Sequence, residues 1–334
     1  MASFIPSIEA FAKGTLATTV GLSTIGFGLL YYGQGYLIYP SAFPPGSRTE
    51  VAKPTEFGMP NYEDLRLTTS DNVKLQCYLM RQKRITDDST LNDSSYDSED
   101  AFSETRPTVL MFHGNAGNHG HRIPLAKVFY AKLRCNVLMM AYRGYGLSEG
   151  TPSEKGLCLD AQAALDFIKS DSYLSKTPLI LYGQSIGGAV TIDLASRNPD
   201  SITALILENT FLSLPSLIPH ALPILSPFSF LCHQKWDSAS KISLIPASTP
   251  MLLLSGLQDE IVPAAHMRGL LELAAKRGEK KTSRGTGVEY KTGLERVKFL
   301  DFANGQHNDT CTQPGYWSAI ADFIASLATV KEKL

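Results

Sequence analysis

Apolar residues along this chain recur as short, nearly unbroken runs. "TVLMFHG" (108–114), "NVLMMAYRG" (136–144), "PLILYGQ" (178–184) and "TALILEN" (203–209) are almost continuous in hydrophobic side chains. Strands buried on both faces read this way, as in a parallel sheet covered by helices. Between the runs, 122–134, 153–170 and 187–199 have helical character. Upstream, "EDLRLTT" (63–69) and "VKLQCYLM" (73–80) alternate instead, which predicts an antiparallel hairpin. "PMLLLSG" (250–256) and "VKFLDF" (297–302) add two further strands. The pattern predicts an α/β fold, a mostly parallel, doubly wound sheet, over residues 63–334. No internal repeat interrupts it.

Three segments depart from the alternation. Residues 84–106 ("RITDDSTLNDSSYDSEDAFSETR") are rich in Ser, Asp and Glu and predict an acidic, solvated loop. Residues 276–298 are mostly basic and predict a second solvated loop, with contact to anionic lipid head groups as the alternative. Residues 211–249 are apolar but too proline-rich for one regular helix. Because they follow a strand end, they predict a cap or pocket wall.

The N-terminus carries a different signal. No charged residue occurs between Lys13 and Arg48, and a stretch that long crosses a bilayer, which takes about 20 apolar residues. Residues 14–39 therefore predict a transmembrane signal-anchor, after a tail at 1–13 and before a proline-rich connector at 40–62. Tyr31, Tyr32, Tyr36 and Tyr39 crowd its far end, where amphipathic rings favour a membrane interface. Two other readings compete. A cleaved signal peptide fits poorly, because the stretch is too long and aromatics stand where small residues should precede cleavage; a buried core helix is the third reading. Lys13 on one side and Arg48 and Lys53 on the other nearly balance, so charge sets no orientation.

Composition narrows the partners. With 43% hydrophobic and 19% charged residues, the 334-residue chain buries a sizeable core. A net charge of −1 gives no reason to expect nucleic acid. The five cysteines are scattered without C-x-x-C spacing, which argues against a zinc site or disulfide framework; Cys77 and Cys135 read as buried thiols.

The chemistry concentrates around "ILYGQSIGGAVTIDLA" (180–195). A buried strand runs into Gly183-Gln184-Ser185-Ile186-Gly187, and a helix follows at once. That is what a nucleophile elbow requires: Gly183 and Gly187 permit close backbone approach, and Ser185 takes a strained conformation at the strand end. A phosphate-binding turn is the competing reading, but the lysine of a P-loop is missing. A serine needs a base, itself oriented by a carboxylate, and in α/β-hydrolases these follow in the order Ser, Asp or Glu, His. Asp259 in "LLLSGLQDEIVP" and His307 in "VKFLDFANGQHNDT" occupy loops after strands in that order. Glu260 and Glu208 are rival acids. His266 reads as a packing or hydrogen-bonding residue, His220 and His233 fall in the cap, and His119 and His121 read as solvent-facing, with pocket lining as the alternative. For the oxyanion, the backbone N–H of Ile186 and that of Asn115 in "HGNAGN" are the expected donors. His113 and Gly114 shape that turn, Gly114 by permitting close approach. No metal or organic cofactor is required.

Together "HGNAGN", "AYRGYGLSEG" (141–150), "GQSIGG" (183–188), "ENTF" (208–211), "SGLQDEIVP" (255–263) and "QHNDT" (306–310) resemble the Bem46-like, or bud-emergence, group of α/β-hydrolases. The resemblance spans nearly everything from the anchor to the C-terminus. It implies an α/β-hydrolase fold and a single-pass, membrane-anchored serine hydrolase with Ser185, Asp259 and His307 as its triad. The expected substrate is an acyl ester or thioester of lipid-like character, and the expected location an endomembrane such as the endoplasmic reticulum, with the plasma membrane as the alternative. A serine peptidase or amidase, and a non-catalytic interaction protein, are the competing functions. Asn92 and Asn308 both head N-glycosylation sequons; a glycan on Asn308 would obstruct the site.

Overall fold

The computed structural model describes residues 8–84, 99–278 and 296–331. Most of the acidic segment (85–98) and most of the basic one (279–295) therefore lie outside the described residues, and so does Asn92.

Eight strands form one sheet: β1 (Glu63–Thr68), β2 (Lys74–Met80), β3 (Thr108–Phe112), β4 (Asn136–Met140), β5 (Leu179–Gln184), β6 (Ala204–Glu208), β7 (Met251–Gly256) and β8 (Val297–Phe302), in the order β1-β2-β4-β3-β5-β6-β7-β8. The hairpin β1–β2 and the β2–β4 pair are antiparallel, and every pair beyond them is parallel. The near-continuous apolar runs are explained by what covers them. In β3, Leu110 and Phe112 join the core on one face while Val109 and Met111 join the core on the other.

The helices are α1 (Ile8–Ile38), α2 (Ile123–Lys127, continued by one wider turn to Lys132), α3 (Glu154–Ser170), α4 (Ile186–Arg197), α5 (Leu214–Ala221), α6 (Ser238–Ile242), α7 (Ala264–Ala275) and α8 (Tyr316–Lys331). Leu157 of α3, Ile192 of α4 and Leu270 of α7 pack on the Leu110 face; Ile123 of α2 and Ile320 of α8 pack on the Val109 face. In the proline-rich stretch after β6, the helix breaks into α5, 3-10 turns at Pro223–Leu231, and α6.

Helix α1 is long and apolar enough to cross a membrane, and its body is exposed rather than packed in the core. It starts at Ile8, inside the stretch expected to be tail, and Glu9 and Lys13 pair one turn apart at 2.6 Å. Its C-terminal end is fastened to the cap. Gln34 accepts from the His233 amide at 2.9 Å, and the Tyr39 hydroxyl donates to Gln234 and accepts from the buried Trp236 indole, both at 2.9 Å.

Candidate active site

Ser185 stands between β5 and α4 with φ 56° and ψ −123°, a backbone region that side chains other than glycine rarely occupy. The surroundings hold it there. Its amide donates to the Glu208 carbonyl at 2.9 Å, and its carbonyl accepts from the Gly188 amide at 2.9 Å and the Thr210 hydroxyl at 2.7 Å. The glycines of the elbow are sterically required. A Cβ on Gly183 would fall on the Gly187 carbonyl, one on Gly187 would fall on the Phe112 carbonyl, and one on Gly188 would sit 2.5 Å from the Thr210 Cβ.

His307 lies in the loop after β8, and its Nδ1 is 2.8 Å from the Asp259 Oδ2 in the loop after β7. The second Asp259 oxygen accepts from the amides of Ile261 (2.9 Å) and Val262 (2.7 Å), so the carboxylate is aimed by its own loop. Glu260 serves the same histidine differently, accepting from its backbone amide at 3.2 Å. Glu208 is committed elsewhere: its Oε2 accepts from the hydroxyls of Tyr182 and Tyr316, both at 2.5 Å, in a fully buried site. Burial raises its carboxyl above the ordinary carboxylate range, against the lowering effect of the two phenols.

The loop after β3 is pinned by residues before the hydrolase sheet. The Asn115 side chain donates to the Ile38 carbonyl, and its Oδ1 accepts from the Tyr145 hydroxyl at 3.0 Å. Gly117 donates to the Phe43 carbonyl at 2.8 Å, and Asn118 to the carbonyls of Ser47 and Glu50, both at 3.0 Å. Ile186 is the first residue of α4, so its N–H has no acceptor within the helix. Among the described residues neither that amide nor the Asn115 amide donates to another protein group. The close approach expected of Gly114 occurs further on. A Cβ at Gly114 would meet nothing nearer than 3.4 Å, whereas one at Gly120 would sit 2.8 Å from the Ala52 backbone nitrogen. His113 is buried, with Nδ1 2.7 Å from the Gly114 carbonyl; that contact requires Nδ1 to carry the proton.

His119 corrects the solvent-facing expectation. It is buried, packed 4.5 Å from the Tyr78 ring, while its neighbour His121 stays exposed. Burial depresses both His113 and His119 to about 3, keeping them neutral. His266, on α7, accepts from the Leu212 amide at 3.3 Å; His220 and His233 are exposed on the cap.

Ser185, Ile186, Asn115 and His307 line one cavity of about 280 Å³. Its remaining walls are mainly apolar: Leu37 and Ile38 from α1, and Phe211, Leu217, Ile218 and Leu222 from the cap. Gln184 and Asn209, which carried no individual signal in the sequence, brace the histidine loop from below. Gln184 donates to the His307 carbonyl at 2.9 Å, and Asn209 to the Gln306 carbonyl at 3.2 Å and the Thr310 hydroxyl at 3.0 Å. Their only hint was their place at strand ends, in "GQSIGG" and "ENTF".

A hydrolase family model described as "Serine aminopeptidase, S33" matches residues 103–243. Among solved structures, the Pyrococcus furiosus esterase Pf2001 superposes with a TM-score of 0.59 at 18% identity, over 84% of this chain and 97% of that one, a likeness of fold. The membrane protein YNL320W of Saccharomyces cerevisiae is 39% identical over 94% of this chain and 96% of its own. Protein bem46 of Schizosaccharomyces pombe is 44% identical over 92% of this chain and 91% of its own. With that identity sustained along nearly the full length of both sequences, this protein belongs to the Bem46-like family of α/β-hydrolases.

Proposed function

We propose that this protein is a membrane-anchored serine hydrolase that cleaves acyl esters or thioesters through an acyl-Ser185 intermediate. The observation that carries the reading is the 2.8 Å contact of His307 with Asp259 in a loop that shares one apolar cavity with a strained Ser185. The Ser185 hydroxyl attacks the acyl carbonyl carbon while its proton passes to His307 Nε2. Asp259 fixes the tautomer and stabilises the imidazolium. The oxyanion is received by the amides of Ile186 and Asn115, each worth about 3 kcal/mol of barrier. The intermediate collapses with loss of the alcohol or thiol, which takes the proton from His307. Water, deprotonated by the same ring, then releases the carboxylic acid and restores the serine. Helix α1 anchors the domain in an endomembrane, a reading supported by its exposed apolar length and by a relative named as a membrane protein.

The family model's description favours a second reading, an aminopeptidase. The cavity argues against it. An ammonium group needs an acidic partner in the pocket, yet among the described residues no Asp or Glu lines this one, and its charged wall is Arg122. A non-catalytic scaffold would have no use for the strain held at Ser185. Turnover of p-nitrophenyl esters of short and long chains, acyl thioesters and an aminoacyl amide tests the choice. Ester or thioester cleavage lost in Ser185→Ala is the expected result; cleavage of the amide alone would overturn it.

A further inference from the structure

The apolar walls beside Ser185 extend past Leu222. A second apolar space adjoins the Ser185 cavity and shares Leu37, Ile38, Ile218 and Leu222 as walls, then continues between Leu30 of α1 and Leu225 and Leu231 of the cap. At its far end Phe27 meets Phe228 edge-on, ring centroids 5.8 Å apart. From Ile38 to Phe27 the seam runs about 16 Å along the helix axis, at ~1.5 Å per residue.

Charge and exposure say what environment this seam faces. Between Glu208 and Lys235 the chain has no Asp, Glu, Lys or Arg, and the same holds of α1 beyond Lys13. The two charge-free segments pack on each other. On the cap, Ile224 is 84% and Phe230 68% exposed, beside a helix whose own apolar side chains are exposed. Large apolar side chains grouped on such a surface mark contact with a membrane or partner, and here the neighbouring element is the one that fits a bilayer.

Resting on the serine-hydrolase reading, we propose that the cap turns at Pro223–Leu231 sit in the bilayer beside α1, and that the substrate is a membrane-resident long-chain acyl ester or thioester. Its acyl chain enters from the lipid along the seam between α1 and the cap, so that the carbonyl reaches Ser185 while the distal carbons stay between Leu30 and Leu225. The anchor is then one wall of the acyl-binding groove as well as a tether.

A long-chain alkyl fluorophosphonate with a terminal diazirine tests this on the full-length protein in phospholipid nanodiscs. The Ser185 oxygen bonds to phosphorus, fluoride departs, and the serine proton goes to His307; light then crosslinks the chain end to whatever it touches. Crosslinks to residues 27–34 and 223–231 are expected. An adduct on Ser185 whose chain end maps to solvent-facing loops overturns the groove and leaves the hydrolase reading intact, whereas no adduct on Ser185 overturns that reading itself. As a second measurement, Leu225→Trp should lower the ratio of palmitoyl to butyryl ester turnover at least tenfold; an unmoved ratio contradicts the proposal.

Discussion

The side chain of Asn115 donates to the backbone carbonyl of Ile38, and this ties the loop after β3 to the last turn of the N-terminal helix. With the Tyr145 hydroxyl donating to the other end of the same amide at 3.0 Å, Asn115 is held both by α1 and by the loop after β4. Asn115→Ala should therefore lower kcat on a short-chain ester about 10- to 100-fold, the scale of loss that small misplacements of catalytic groups produce. Removing residues 1–38 should cost a similar factor, and the two changes together should cost little more than either alone. Steady-state kinetics on the four proteins reads this; fully multiplicative losses would separate the helix from the loop.

Asp259, Glu260 and Glu208 all compete for the histidine in the sequence, and their contacts assign them different roles. Asp259→Asn reverses the donor pattern at His307 Nδ1 and should reduce kcat by about four orders of magnitude. Glu208→Gln should cause a far smaller loss, because the Glu208 carboxyl is occupied by Tyr182 and Tyr316. Equal losses would contradict the assignment.

Gly187 is packed against the end of β3. A methyl group there would overlap the Phe112 carbonyl, so the strand and helix must separate to admit it. Gly187→Ala should destabilise the fold by about 3 kcal/mol, the upper range for overpacking a close contact, with fluorophosphonate reactivity falling in parallel. Thermal melting of the purified protein gives the answer directly.

Acid should destabilise this domain through two buried histidines. Burial holds His113 and His119 at about 3, against 6.5 for a free imidazole. Below pH 6.5 the unfolded chain binds protons that the native state refuses, so stability present at neutral pH is lost as pH falls toward 3. Each histidine contributes a slope of up to ~1.4 kcal/mol per pH unit. Urea unfolding between pH 7 and 4.5 should show it, and His119→Phe, which keeps a ring against Tyr78, should flatten the slope by one proton.

The sheet was legible because burial on both faces leaves a direct trace in composition: Leu110 and Val109 point opposite ways, and both must be apolar. The elbow was legible for a related reason, since backbone crossing backbone at Gly183 and Gly187 excludes every other residue. Gln184 and Asn209 were not. Each acts by donating to a carbonyl of a loop about a hundred residues away, and nothing local in the sequence records such a partner. His119 was misread because a histidine followed by Gly-His-Arg looks solvated, while the partner that buries it, Tyr78, comes from β2. Nor did the sequence announce that α1 forms a wall of the cavity. Leu37 and Ile38 are apolar in any membrane helix, and only the fold reveals that they also face Ser185.

On the proposed mechanism, Ser185 is a nucleophile activated by His307. Intact-mass and peptide-level analysis after reaction with a fluorophosphonate measures it most directly. A single adduct on Ser185 in the wild type, none in Ser185→Ala, and a strongly slowed reaction in His307→Ala are expected. A folded wild-type protein that remains unlabelled, or an adduct carried by a different residue, would contradict it.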